Sequence, residues 1–130
     1  MVKPYFWCLL LILPFNLFAH GMDRPGPHNG HIRMVGTIHT ELIWQKSHAR
    51  VYLLDIGFKN PTVAKSSVKA TINSINGDKK IIDCKSEQIY FSCKHNIDSK
   101  SVKSIELSVT RQNISPKENA IYEFPLVFQN

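Results

Sequence analysis

The chain has 130 residues, 43% of them hydrophobic and 20% charged, with a formal net charge of +6. That length holds one domain around one ordinary core and leaves no room for a second. The positive surplus is spread along the chain, with lysines alternating with apolar residues as at Val68-Lys69-Ala70. It reads as solvated strand faces, and no basic stretch interleaved with stacking aromatics marks nucleic acid as a partner.

Residues 1–19 open with Lys3 and the apolar run YFWCLLLIL, the pattern of a secretory signal peptide. Pro14 and Asn16 interrupt that run, and Leu17 and Ala19 occupy the −3 and −1 positions of a cleavage site before His20. A cut after Gly21 is the alternative. The run is shorter than the ~20 residues of a membrane span, so no transmembrane segment is expected in the mature chain. Cleavage after Ala19 removes Lys3 alone among the charged residues, taking the charge from +6 to +5. The expected compartment is the periplasm or the exterior.

Residues 20–36 contain Pro25, Gly26, Pro27, Gly30 and Gly36, which deny them regular structure and suit an arm wrapped on the end of a domain. From residue 37 the pattern has period two. In TIHTELIW, Ile38, Leu42 and Trp44 point one way and Thr37, His39 and Glu41 the other. Six more such runs follow, at 49–56, 68–75, 78–84, 88–93, 103–110 and 120–128, each bounded by turn chemistry such as Asn76-Gly77-Asp78. About seven strands without a helical period predict an all-β fold, a single antiparallel immunoglobulin-like β-sandwich over residues 37–130. Pro125 falls in the last run, which places that strand at an edge or at a bulge. Trp44, Tyr52, Tyr90 and Phe91 sit on strand patterns and are expected in the core.

Cys84 and Cys93 are the cysteines left after export, and in an oxidising compartment such a pair is read as a disulfide. A tight turn at residues 85–88 would set Cys84 opposite Ile89 and carry Cys93 too far along the strand, so the bridge needs a wider loop. Closing roughly ten residues contributes about 2.5–3 kcal/mol in the chain-entropy account.

The chemistry-bearing residues gather early. Four of the six histidines (His20, His28, His31 and His39) lie within residues 16–41, together with Met22, Met34 and Glu41. A histidine at a free amino terminus offers both its amine and Nδ1, and copper(II) prefers such tetragonal nitrogen donors. His28 and His31 make an H-x-x-H pair, and a methionine thioether at Met34 adds affinity for copper(I); imidazoles alone suit zinc, nickel or cobalt as well. His39 and Glu41 project from one side of a strand, as the wall of a site or as solvent-facing polar residues. No phosphate-binding glycine loop, nucleophile elbow or H-E-x-x-H motif is present, so no catalytic residues are assigned.

The stretch HGMDRPGPHNGHIRMVGTIHTEL followed by VYLLDIGFKNPTV resembles small exported bacterial proteins that begin with a Gly-Pro-His-Gly-Gly segment ahead of a β-sandwich. The same segment is similar to one in the periplasmic adaptor subunits of heavy-metal efflux pumps. The resemblance covers residues 20 to about 75 and implies heavy-metal handling, with His28 matching the family's histidine. Asn29 stands where the family pattern has glycine, and the helical hairpin and lipoyl-like parts of an adaptor have no counterpart. A looser likeness, resting on His20 and the fold, is to exported copper carriers with an immunoglobulin-like sandwich. The expected function is therefore a non-enzymatic periplasmic metal-binding protein, copper first, that sequesters the ion or passes it to a transport partner. The metal ligands would come from His20, His28, His31, Met34 and His39. The other readings are a histidine-brace copper oxygenase and a metal-free protein-interaction module.

Overall fold

The computed structural model describes residues 24–112 and 118–128. Among the described residues nine strands, against about seven expected, form two antiparallel sheets, the β-sandwich that the period-two runs predict. The first sheet contains β1 (His31–Val35), β2 (Ile38–Trp44), β3 (His48–Leu54), β6 (Lys85–Ser86) and β7 (Phe91–Lys94), in the order β1-β2-β3-β7-β6. The second contains β4 (Ser66–Ser74), β5 (Lys79–Asp83), β8 (Val102–Arg111) and β9 (Glu118–Glu123), in the order β5-β4-β8-β9. Among the described residues the one helical element is a 3-10 turn at Ser99–Ser101. No helix among them is long and apolar enough to cross a membrane.

Alternation decides which side chains meet between the sheets. Val35, Ile38, Leu42, Val51 and Leu53 of the first sheet face Val68, Ala70, Ile72, Ile105, Leu107 and Val109 of the second, all buried. Each fully buried Leu or Ile there contributes about 2 kcal/mol. One polar pair crosses this core: the Tyr122 hydroxyl donates to the Thr40 carbonyl at 3.0 Å and lies 2.6 Å from Thr40 Oγ1. Both groups are thereby satisfied, which a buried polar pair requires.

Each long edge of the sandwich is tied across. At one, Arg33 Nε donates to the Ile121 carbonyl at 3.1 Å, with its guanidinium 4.8 Å from the Tyr122 ring centre. At the other, the chain passes from β5 of the second sheet through Cys84 to β6 of the first, and Cys84 is bonded to Cys93 with Cα atoms 4.4 Å apart. The expected disulfide is present, and the turn that permits it is centred two residues later than a turn at 85–88. Glu87 N–H donates to the Tyr90 carbonyl at 2.8 Å, and Lys85 and Ser86 pair with Ser92 and Phe91. Continuing that register sets Cys84 opposite Cys93.

Several boundaries differ from the sequence expectation, among them the run at 88–93, of which residues 88–90 lie in the turn before β7, and two differences have a direct physical reason. Residues 31–35, assigned to the arm, form edge strand β1, because pairing with β2 from His31↔Leu42 to Val35↔Ile38 supplies their backbone partners. The last strand, expected over 120–128, ends at Glu123, before Pro125 removes a ladder donor. It is an edge strand, as a proline at that position demands.

Candidate functional site

The arm folds into a turn built around one carboxylate. Gly26 N–H donates to the Gly30 carbonyl at 2.8 Å and Asn29 N–H to the Gly26 carbonyl at 2.9 Å, which closes the loop Gly26-Pro27-His28-Asn29-Gly30. Asn29 adopts φ 62°, the left-handed conformation that asparagine tolerates, so it serves where the resembling pattern has glycine. Inside the loop sits Glu41 of β2, with no solvent exposure. Its Oε1 accepts the backbone N–H groups of His28 (2.8 Å) and Gly30 (2.9 Å), and its Oε2 accepts from His28 Nδ1 at 2.7 Å.

The close approach explains two glycines. A Cβ on Gly26 would lie 2.5 Å from Glu41 Oε1, and one on Gly30 would lie 2.6 Å from Glu41 Cγ and 2.8 Å from the Leu42 carbonyl. Pro27 at the second position presets the turn. The imidazole of His28 then lies flat on Tyr52 of β3, with ring centres 3.8 Å apart and planes 4° apart. Tyr52, expected in the core, is buried, and its burial is on the outer face of the first sheet beneath this histidine, since it is the register partner of Glu41.

The acceptor role of the carboxylate places the His28 ring proton on Nδ1 and leaves the lone pair on Nε2. Nε2 has no protein partner among the described residues, and the side chain is 29% exposed. His39, two residues before Glu41 and on the same face, has a parallel arrangement. Its Nδ1 lies 3.2 Å from the Asp55 carbonyl, which only accepts, and its ring stacks on Phe58 at 4.1 Å.

The loop that delivers Phe58 is itself held by Asp55. Oδ1 accepts from the backbone N–H groups of Gly57 (3.0 Å) and Lys59 (2.8 Å), and Oδ2 accepts from the Asn60 side chain at 2.7 Å. These bonds, that from Lys59 first and that from Asn60 second, hold the Asp55 carboxyl below its ordinary range. Phe58 at φ 60° and Asn60 at φ 54° are the backbone consequence of so tight a loop.

The five expected ligands are therefore only partly brought together. His28 and His39 share the outer face of the first sheet, and Met34, 57% exposed, lies directly opposite His39 across the β1–β2 pair. His31 points to the other face, pairing with inward-facing Leu42 and stacking on Phe128 at 4.0 Å. The H-x-x-H pair is thus divided between the Gly26–Gly30 turn and β1, which carry its two side chains to opposite faces of the first sheet. His20 lies outside the described residues, as does Met22. Among the described residues no group of three or more His, Cys, Asp or Glu side chains is arranged to hold a metal. His39 and Glu41, open to a solvent-facing reading, are buried.

Beside the two imidazoles, Arg24, Pro25, Gly26 and Pro27 of the arm, Ile32 and Phe58 line a depression of about 560 Å³. The sequence singles out His28, Met34, His39 and Glu41 of this face but not Phe58 and Asp55, whose loop shows only turn composition. Comparison with protein-family models, curated proteins and solved structures finds no match.

Proposed function

We propose that the exported chain binds copper at its amino-terminal end and acts as a non-enzymatic carrier, sequestering the ion or passing it to an efflux or assembly partner in the periplasm. The supporting observation is the fixing of His28. A buried carboxylate holds Nδ1–H at 2.7 Å, and Nε2 has no protein partner among the described residues. A carboxylate behind a histidine is the usual outer shell of a metal-binding imidazole, orienting the ring and raising its basicity. The amine and Nδ1 of His20 would complete a tetragonal nitrogen set for copper(II), and the Met34 thioether beside His39 would suit copper(I). His31 has no part in this set.

The test is competition with a calibrated chelator for copper(II), at fixed pH, on correctly processed chain. One extra residue ahead of His20 converts the amine into a peptide nitrogen and is expected to weaken binding at least about tenfold; His28→Ala is expected to do the same. His31→Ala is expected to leave affinity unchanged. Equal affinity of the extended and native chains would remove the amino-terminal chelate and leave only the internal donors.

A further inference from the structure

One end of the sandwich gathers basic and hydroxyl side chains around a histidine outside the amino-terminal cluster. The β2–β3 turn, the end of β7 and edge strand β5 line a depression of about 350 Å³ with Ser47, His48, Lys80, Ser92, Lys94 and His95. A larger one of about 710 Å³ adjoins it, shares His95 and runs on to Trp44 and Asp98. The β3–β7 register sets His48 directly opposite Lys94, and Lys80 reaches across from the second sheet to within 3.5 Å of Asn96 Oδ1.

Among the described residues no carboxylate lines the smaller depression. Asp98 in the larger one is already engaged, its Oδ1 accepting the Lys100 N–H at 3.0 Å to cap the 3-10 turn.

His95 is 6% exposed and stacks on Trp44 with ring centres 3.9 Å apart. Its Nδ1 accepts the Ile97 N–H at 3.1 Å, so the proton of the neutral ring lies on Nε2. Nε2 is buried and has no hydrogen-bond partner among the described residues. Burial lowers the readiness of this ring to take a second proton, against the carbonyls of Gln45 and His48, which favour it. The result is a neutral donor near two carbonyls but with no full hydrogen bond to any group among the described residues, at the junction of two depressions flanked by two lysines. Buried donors in folded proteins are nearly always paired, and an orphan calls for an acceptor.

We infer that this depression binds a phosphate-type oxyanion, held by Lys80 and Lys94 with Ser47, Ser92 and His95 Nε2–H as neutral donors. Two ammonium groups match the charge of a phosphate dianion, and the neutral donors match its remaining oxygens. Recognition is of the phosphate itself. Trp44 offers no free platform for a sugar or base, since His95 covers one face and Phe124 packs edge-on at 5.1 Å. The phosphate arrives either as the free ion or as the phosphomonoester headgroup of a lipid.

The experiment uses the metal-free chain, so that its outcome is independent of copper binding. Titration with inorganic phosphate, followed by the imidazole resonances of His95 and His48, is expected to give saturable shifts that sodium chloride at matched ionic strength does not produce. Lys80→Ala with Lys94→Ala is expected to weaken binding at least about tenfold. Lys103→Ala, which removes one charge on β8 away from the depression and so matches either single lysine variant, is expected to leave it unchanged. Both depression lysines are exposed, and Lys94→Gln alone reads the same contact should the double variant fail to fold. Co-sedimentation with phosphatidylcholine vesicles doped with phosphatidic acid, reversed by free phosphate, assigns the lipid source; saturable phosphate binding without co-sedimentation assigns the free ion. Chloride shifting the same signals equally, or Lys103→Ala weakening binding as much as the double variant, overturns the inference.

Discussion

The outward faces of the two sheets carry the same alternating pattern and meet different fates. On the second sheet Lys69, Thr71 and Asn73 of β4 lie beside Ser108, Glu106 and Ser104 of β8, and none of the six is buried. On the first sheet His39 and Glu41 of β2 and Tyr52 and Leu54 of β3 are 9%, 0%, 5% and 0% exposed. The difference is a roof. The Gly26–Gly30 turn lies over Glu41 and Tyr52, and the Asp55–Asn60 loop sets Phe58 on His39. Period two assigns a side chain to a face, but whether that face meets water depends on segments elsewhere in the chain. A polar residue under a roof must find partners inside the protein, and Glu41 finds three.

The largest effect is expected at the centre of the roof. Glu41→Ala strands two backbone N–H groups and the His28 ring under the turn, and is expected to destabilise the chain by about 3 kcal/mol. Urea unfolding measures it. A loss under about 1 kcal/mol would mean that the turn is only loosely attached to the sheet.

A smaller effect is expected from Asp55, whose carboxyl is held below its ordinary range by the Lys59 and Asn60 bonds. A depressed folded value means that the contribution is complete above the unfolded value near pH 4 and is lost as pH falls through the folded one. The native chain should therefore lose stability on acidification below about pH 4 more steeply than Asp55→Asn, and the Phe58–His39 ring contact should loosen over the same window. Identical acid profiles for the two chains would show that the loop does not depend on this carboxylate.

The smallest effect is expected on the unroofed face. Lys69 and Asp83 form a pair at 3.6 Å whose side chains are 56% and 88% exposed. Lys69→Ala is expected to change stability by less than about 0.5 kcal/mol, since solvent already satisfies both groups. A change comparable to that of Glu41→Ala would abolish the contrast between the faces.

Much of the candidate face was legible in sequence because its residues are of unusual type. His28, Met34, His39 and Glu41 stood out as ligand or acid groups close together in the chain. What sequence spacing obscured was the side of the strand on which each one falls. His28 belongs to a turn and His31 to a strand, so a three-residue interval that would align them on a helix separates them here. His95 carried no local signal at all. Its orphan nitrogen arises where β7, the β2–β3 turn and Trp44 converge, and no interval along the chain encodes that meeting.

The amino-acid sequence by itself determined the all-β class, most strand positions and the pairing of Cys84 with Cys93, because alternation, turn residues and cysteine count act over short stretches of chain. The tertiary structure alone decided that residues 31–35 join the sheet as an edge strand, that Glu41 is buried under Gly26–Gly30, and that His31 leaves the company of His28. Those outcomes depend on backbone hydrogen bonds and close packing between segments distant in sequence, where a satisfied buried carboxylate and an orphaned imidazole differ only in what happens to lie opposite them.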